Sequence, residues 1–250
     1  LMLEFSFFIV GLLFGSFANV CILRLPKDKD IFFLKSKCFN CEKEILWKNN
    51  IPLLSYLNLA GISECCKKKI SLQYPIIELT MALLFLINSI LFETSQAFVM
   101  SIIFFILLLI IVIDFYERII FDFMNYFLII SGISVSIINP KLNPENITIL
   151  NSAVTCIVSF VFFYFLKELF KKKKNIEALG MGDVYLIAGL GAWLGFEKFC
   201  YILSISSIIG ILYYLFRGNN DKNFEIPYGS ALGVSFILLV YSDNFLHIIT

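Results

Sequence analysis

Leu107-Leu108-Leu109-Ile110-Ile111-Val112-Ile113-Asp114 decides the fold. Seven apolar residues run unbroken into a carboxylate, and no charge occurs anywhere in 94–113. That window has the length of a helix crossing a hydrocarbon core, which takes about 20 apolar residues. Working outward, further uncharged windows lie at 5–23, 123–140, 146–166, 199–216 and 226–242. Residues 70–92 are interrupted only by Glu78 inside the apolar run, and 184–196 is short and glycine-rich. Strict alternation of apolar and polar residues is absent, which argues against a membrane β-barrel.

Composition agrees. The chain of 250 residues is 59% hydrophobic and 16% charged, with a mean hydropathy of +0.87. A soluble domain of this length carries far more polar surface. The sequence therefore predicts an all-α polytopic membrane helix bundle of about eight transmembrane helices, with a small cytosolic cysteine-containing insertion. The expected organisation is a first transmembrane helix at 1–23, a cysteine-pair loop at 24–73, and a seven-helix bundle at 74–250. The net charge of +1 suggests no nucleic-acid partner.

Charge placement orients the chain. With the N-terminus outside, eight spans put 24–73, 114–122, 167–183 and 217–225 on one side, and these hold 18 of the 20 Lys and Arg residues. Only Lys141 and Lys198 fall opposite. The positive-inside rule makes the crowded side cytosolic. The run Lys171–Lys174 reads as a topology anchor. No basic residue precedes the first segment, so it does not read as a secretory signal.

Two carboxylates stand at that cytosolic level. Asp114 ends its apolar run, and Asp183 closes Gly180-Met181-Gly182-Asp183 at the start of a span. Charges in such places are costly and seldom idle. Taken singly, Asp114 and Asp122 also read as helix-end charges, and Asp183 as a helix cap. Two carboxylates within hydrogen-bond reach cannot both ionise cheaply, so one holds a proton while the other stays charged. The charged member can take a proton from water, and the protonated one can polarise a carbonyl. The lone histidine, His247, falls on the predicted outer side, which disfavours Ser-His or Cys-His chemistry.

Cys38-Phe39-Asn40-Cys41 is half of a zinc-type ligand set, and Cys65-Cys66 supplies a less regular second half. A reducing cytosol favours metal ligation over disulfides there. Cys21, Cys156 and Cys200 lie in apolar spans and read as small hydrophobes. Asn146-Ile147-Thr148 matches a glycosylation sequon by chance.

The ordered blocks resemble the prepilin peptidase family, the type IV leader peptidases. The blocks are Gly15-Ser16-Phe17-Ala18-Asn19-Val20 with Arg24-Leu25-Pro26, then Asn50 to Tyr56 within the cysteine loop, and Tyr74-Pro75-Ile76-Ile77-Glu78. They continue with Ile113-Asp114 to Asp122, Gly180-Met181-Gly182-Asp183, and Ile226-Pro227-Tyr228-Gly229. The resemblance implies a multi-pass aspartic endopeptidase of the bacterial inner membrane, with its active site facing the cytosol. Its implied substrates are prepilins or pseudopilins of pilus or type II secretion assembly machinery, cut after a glycine that ends a basic leader. Asp114 and Asp183 would carry catalysis. Gly180, Gly182, Asp122, Asn19, Arg24 and Glu78 would support the site or bind substrate. Cys38, Cys41, Cys65 and Cys66 would hold structural zinc. Many members also methylate the new N-terminus with S-adenosylmethionine.

Four positions depart from the family pattern: Phe121 and Ser230 where proline is usual, Tyr185 where lysine is usual, and Ser63 where a cysteine is expected. Cys65 would be the displaced substitute for that cysteine. Two other readings are a transporter that uses intramembrane carboxylates, which expects them near the bilayer midplane, and an inactive scaffold with a metal-binding loop.

Overall fold

The computed structural model describes residues 2–31, 36–38, 40–143, 147–174, 179–217 and 225–249. Phe39, the sequon asparagine Asn146 and the side chain of His247 lie outside the described set. Among the described residues the chain is helical, with no strand beyond two isolated bridges. In order the helices are α1 (Met2–Arg24), the short α2 (Leu54–Asn58), α3 (Gln73–Leu91), α4 (Thr94–Glu117), α5 (Asp122–Ile138), α6 (Ile149–Lys174), α7 (Met181–Arg217) and α8 (Tyr228–Ile249). Five of these are long and apolar enough to cross a membrane, and α5 is a shorter apolar helix. The apolar windows read from sequence fall on α1 and α3 to α8, with two of them on α7. The architecture is that of a multi-pass membrane protein.

The chain forms two compact units, 1–105 and 106–250. In the first, α1 and α3 pack along their length. Gly11 and Gly15 stand one turn apart on α1, a small-xxx-small spacing that lets helix backbones approach in lipid. A Cβ on Gly15 would lie 2.5 Å from the Cα of Glu78, and one on Gly11 would lie 2.7 Å from the Cα of Ala82. Phe14 then nests between Phe85 and Phe105, with ring centroids 5.3 and 5.2 Å away. The fully buried Asn88 donates to Ser101 Oγ at 3.1 Å. Such interhelical bonds average about 0.6 kcal/mol within bilayers. The Asn88–Ser101 bond joins α3 to α4, while the close backbone approach at Gly11 and Gly15 packs α1 against α3.

In the second unit, α5, α6 and α8 each pack on α7. Its fully buried Trp193 donates from Nε1 to Leu128 O at 3.1 Å on α5. Two residues later the helix breaks: Gly195 has φ 66 and ψ 175. A break frees backbone groups, each costing several kcal/mol if left unpaired in an apolar setting. Neighbouring side chains take them up. Ser152 Oγ donates to Ala192 O at 2.7 Å, and Asn143 Nδ2 donates to Trp193 O at 2.8 Å. The Phe196 amide donates to Asn151 Oδ1 at 3.2 Å. The break divides α7 into two helical segments near the boundary between the two apolar windows, 184–196 and 199–216, that the sequence shows there.

Gly195→Ala introduces a Cβ at a left-handed φ and only 2.6 Å from Asn151 Nδ2. The expected outcome is a loss of roughly 1–3 kcal/mol of stability. Thermal unfolding in detergent checks it, and an unchanged midpoint contradicts the account of the break.

Candidate active site

Three helix ends in the second unit build the site. The first is the last turn of α4, which carries Asp114. Arg118 ends that helix with φ 59, a left-handed cap. Its amide donates to Asp114 O at 3.1 Å, and its guanidinium donates to Asp114 O at 2.9 Å and to Phe115 O. A cation therefore sits on the last carbonyls, where the helix dipole favours it. The second Arg118 nitrogen donates to Tyr213 Oη on α7 at 3.4 Å.

The second helix end is the start of α8. The first amides of a helix lack partners within it, and Ser230 lies in this first turn. Its N–H donates to Asp114 Oδ2 at 2.6 Å. Its hydroxyl lies 2.9 Å from the same oxygen and 2.8 Å from Ile111 O. Asp114 and Ser230 are only 5% and 6% exposed, so water does not compete strongly for these bonds. Gly229 makes the approach possible. A Cβ there would stand 3.2 Å from Asp114 Oδ2 and 2.5 Å from Ile120 Cδ1.

The third is the start of α7. Gly180 takes the N-cap position, since Val184 N donates to its carbonyl at 3.4 Å. Asp183 reaches back from the third helical position, and its Oδ2 accepts the Gly180 amide at 3.3 Å. That contact is one arm of a capping box. Ile120 packs here too, 3.0 Å from where a Gly182 Cβ would be, so one side chain touches both glycine-bearing helix starts. The buried Asn125 of α5 donates to Gly182 O at 3.0 Å.

Asp183 lies within the field of the Asp114 carboxylate and of the Lys167 cation of α6. The structure thus gathers Asp114, Asp183, Gly180 and Gly182 in one place. Asp122 stands exposed in the first turn of α5, where an acid suits the helix dipole. Tyr185 is not near-charge chemistry but packing. It stacks on Phe160 at 5.6 Å and meets Tyr126 edge-on at 5.5 Å.

The remaining sequence-predicted residues belong to the first unit. Asn19 is buried and donates to Gly15 O at 3.3 Å and Tyr74 O at 3.2 Å, tying α1 to α3. Buried Glu78 accepts the Leu53 amide at 2.8 Å, which pins the cysteine loop to α3. Arg24 donates to Asp30 O at 3.1 Å at the exit of α1.

The cysteine loop is built from two matching turns. Cys38 N donates to Lys43 O and Glu42 N to Cys38 O, while Ser63 N donates to Lys68 O and Lys67 N to Ser63 O. Glu42 and Lys67 share a left-handed φ, 56 and 57. Bridges Lys37↔Glu44 and Ile62↔Lys69 close the turns. By this pattern Ser63 is the counterpart of Cys38, and Cys66 that of Cys41. Cys65 stands one residue earlier. All four sulfurs lie within 4.8 Å of one another, with Cys38 to Cys66 at 3.8 Å and Cys41 to Cys65 at 3.1 Å. Zinc–sulfur bonds of about 2.3 Å put tetrahedral sulfurs roughly 3.8 Å apart, so the donor set fits such an ion after small shifts of the sulfurs. Burial opposes ionisation of Cys38, but hydrogen bonds from Ser63 and from the amides of Asn40 and Cys41 outweigh it and bring the thiol down to about 6. Cys41, which shares its hydrogen with Cys65, is pushed up to about 12.

Sequence reasoning did not find Ser230, Asn125 or Ile120 as parts of the site. Asn125 carried a signal as a polar residue inside an apolar helix, and Ser230 one as a departure from the family pattern.

Comparison with known proteins establishes the family. Residues 9–92 match the model for the Bacterial Peptidase A24 N-terminal domain, and residues 101–215 match the Type IV leader peptidase family. A prepilin leader peptidase/N-methyltransferase of Vibrio cholerae serotype O1 is 34% identical over 94% of this chain and 95% of its own length. The chain belongs to the type IV leader peptidase family. A relative of the same description from Klebsiella pneumoniae is 33% identical over 80% of this chain and 89% of its own. A type 4 prepilin-like proteins leader peptide-processing enzyme of Escherichia coli O78:H11 is 30% identical over 92% of this chain and 91% of its own. No solved structure matches. The chain is therefore an enzyme, an endopeptidase of the aspartic type by family.

Gly229→Val is expected to push Ile120 and the Asp114 carboxylate from their places. Overpacking of this kind costs roughly 1–3 kcal/mol. A lowered unfolding midpoint in detergent, with a smaller drop for Gly229→Ala, checks it.

Proposed function

We propose that this family member removes the leader from prepilins or pseudopilins at the cytosolic face of the bacterial inner membrane, cutting after glycine. The observation that supports this is that Ile120 packs against both the Gly182 and Gly229 helix starts, so that Asp183 on α7 lies within the field of the Asp114 carboxylate held by α8, in one unit of a leader-peptidase-family chain. The excess of Lys and Arg on one side of the expected topology supports the orientation. The substrate's apolar helix lies in the bilayer beside the spans, and its basic leader stays in water.

The chemistry follows from the pair. One carboxylate is charged and takes a proton as a water oxygen bonds to the scissile carbonyl carbon. The other is protonated and hydrogen-bonds the carbonyl oxygen as it gains charge. Collapse of the tetrahedral species breaks the C–N bond and sends a proton to the leaving nitrogen. The products are a leader ending in a carboxylate and a new N-terminal amine. Gly180, Gly182 and Gly229 keep the helix starts close, and Asn125 holds the first turn of α7. In the first unit, Asn19 and Glu78 brace the frame that carries the loop.

Membranes bearing the parent chain are expected to shorten a pilin-like substrate. Asp114→Asn and Asp183→Asn should each lower that rate by roughly 100-fold or more at equal expression, the scale of a lost acid–base group. Near-parental cleavage by both variants sinks the assignment. The transporter reading gains nothing from the family match.

Methylation of the new amine is a second proposed activity, supported by the N-methyltransferase function named for the Vibrio cholerae and Klebsiella pneumoniae relatives. S-adenosylmethionine would supply the methyl group, and no described side chains single themselves out as its holders. Labelled S-adenosylmethionine in the same membranes scores this separately from leader removal.

Cys38, Cys41, Cys65 and Cys66 would hold zinc, which would lock the two turns together. The purified chain should carry about one zinc per molecule, the content of a closed four-thiolate site. Cys66→Ser and Cys65→Ser should lose it, and Ser63→Ala should keep it. Metal analysis of the detergent-solubilised protein reads this without reference to activity. Full zinc content in Cys65→Ser would remove Cys65 from the set.

A further inference from the structure

We infer that Ser230 is a positioning residue for Asp114, holding one oxygen of the carboxylate so that the other is left to work. This rests on the reading of Asp114 as half of the acid–base pair. The geometry is one-sided. The Ser230 amide at 2.6 Å and its hydroxyl at 2.9 Å both meet Oδ2. Among the described residues Oδ1 takes no hydrogen bond. A carboxylate pinned through one oxygen by two donors cannot rotate, so Oδ1 keeps a fixed direction. Positional errors of an ångström in a reacting group cost large factors in rate.

The two donors do different work. The amide belongs to the first turn of α8, where it has no helical partner, and it offers its hydrogen in every state of the enzyme. The hydroxyl has one hydrogen and two oxygens in reach, Asp114 Oδ2 and Ile111 O. When Asp114 is charged, the hydrogen turns to Oδ2, a charge-assisted bond. When a proton sits on Oδ2, the hydroxyl turns its hydrogen to Ile111 O and accepts from the carboxyl instead. Either state leaves both groups satisfied, which an amide alone does not achieve. Ser230 therefore keeps the carboxylate in one orientation whether or not it carries a proton. Both side chains are buried, so solvent does not substitute for the hydroxyl.

Ser230→Ala removes the hydroxyl and leaves the amide. Initial rates of leader removal, measured against substrate concentration in the full chain, should show kcat lowered roughly tenfold, the scale of one hydrogen bond to a charged group. KM should stay within about twofold, since the contact is to the catalytic carboxylate rather than to substrate. Ser230→Thr, which restores the hydroxyl, should recover most of the rate. The unfolding midpoint of each variant is measured alongside. Parental kcat in a folded Ser230→Ala overturns the inference, as does a Ser230→Thr variant that stays as slow as the alanine while folding normally. If Asp114→Asn keeps its activity, the acid–base reading itself has failed, a separate result.

Discussion

A backbone group inside an apolar medium must find its partner within the protein. Around the candidate site this constraint ties folding to chemistry. The first amides of α7 and α8 have no helical acceptor, and here they are given to carboxylates: Gly180 N to Asp183, Ser230 N to Asp114. Asp183 caps its own helix, whereas Asp114 caps another helix 116 residues away in sequence. A substitution that removes either carboxylate therefore also uncaps a helix start. The break at Gly195 obeys the same constraint with neutral partners, Ser152, Asn143 and Asn151.

Charge around the pair is arranged from several helices. Arg118 closes α4 next to Asp114, and Lys167 on α6 extends its field to Asp183. The family resemblance leads one to expect a lysine at Tyr185. That side chain instead joins an aromatic group with Tyr126 and Phe160. The field of a cation at Asp183 is thus supplied from α6, not from the adjacent position on α7.

The helices were legible because lipid imposes one simple pattern, long runs without charge. Each such window lies on a helix, and Asp114 and Asp183 stand at helix ends where the charged residues resume. What escaped was of another kind. Ser230 meets Asp114 through a contact that no local period encodes. Gly195 sits in Leu194-Gly195-Phe196, where hydropathy stays apolar across the break. The spacing of Gly11 and Gly15 also went unread, because it has meaning only against the backbone of α3.

The cysteine loop shows why a mismatch in sequence need not be one in structure. Ser63-Glu64-Cys65-Cys66 lacks the spacing of Cys38-Phe39-Asn40-Cys41. The two turns nevertheless share their backbone hydrogen bonds and a left-handed residue after the last cysteine. That frame is made by amides and carbonyls, so replacing a thiol by a hydroxyl at its first position leaves it intact. A thiol two positions later can then reach the cluster because the turn folds it back. Ser63 Oγ lies 3.1 Å from Cys65 Sγ and 3.5 Å from Cys38 Sγ, so it remains as a hydrogen-bonding partner of the sulfurs. A hydroxyl in that position favours thiolate over thiol, which is the form a metal ion needs. The departure at Ser63 thus moves one donor along the chain while the fold of the turn stays the same.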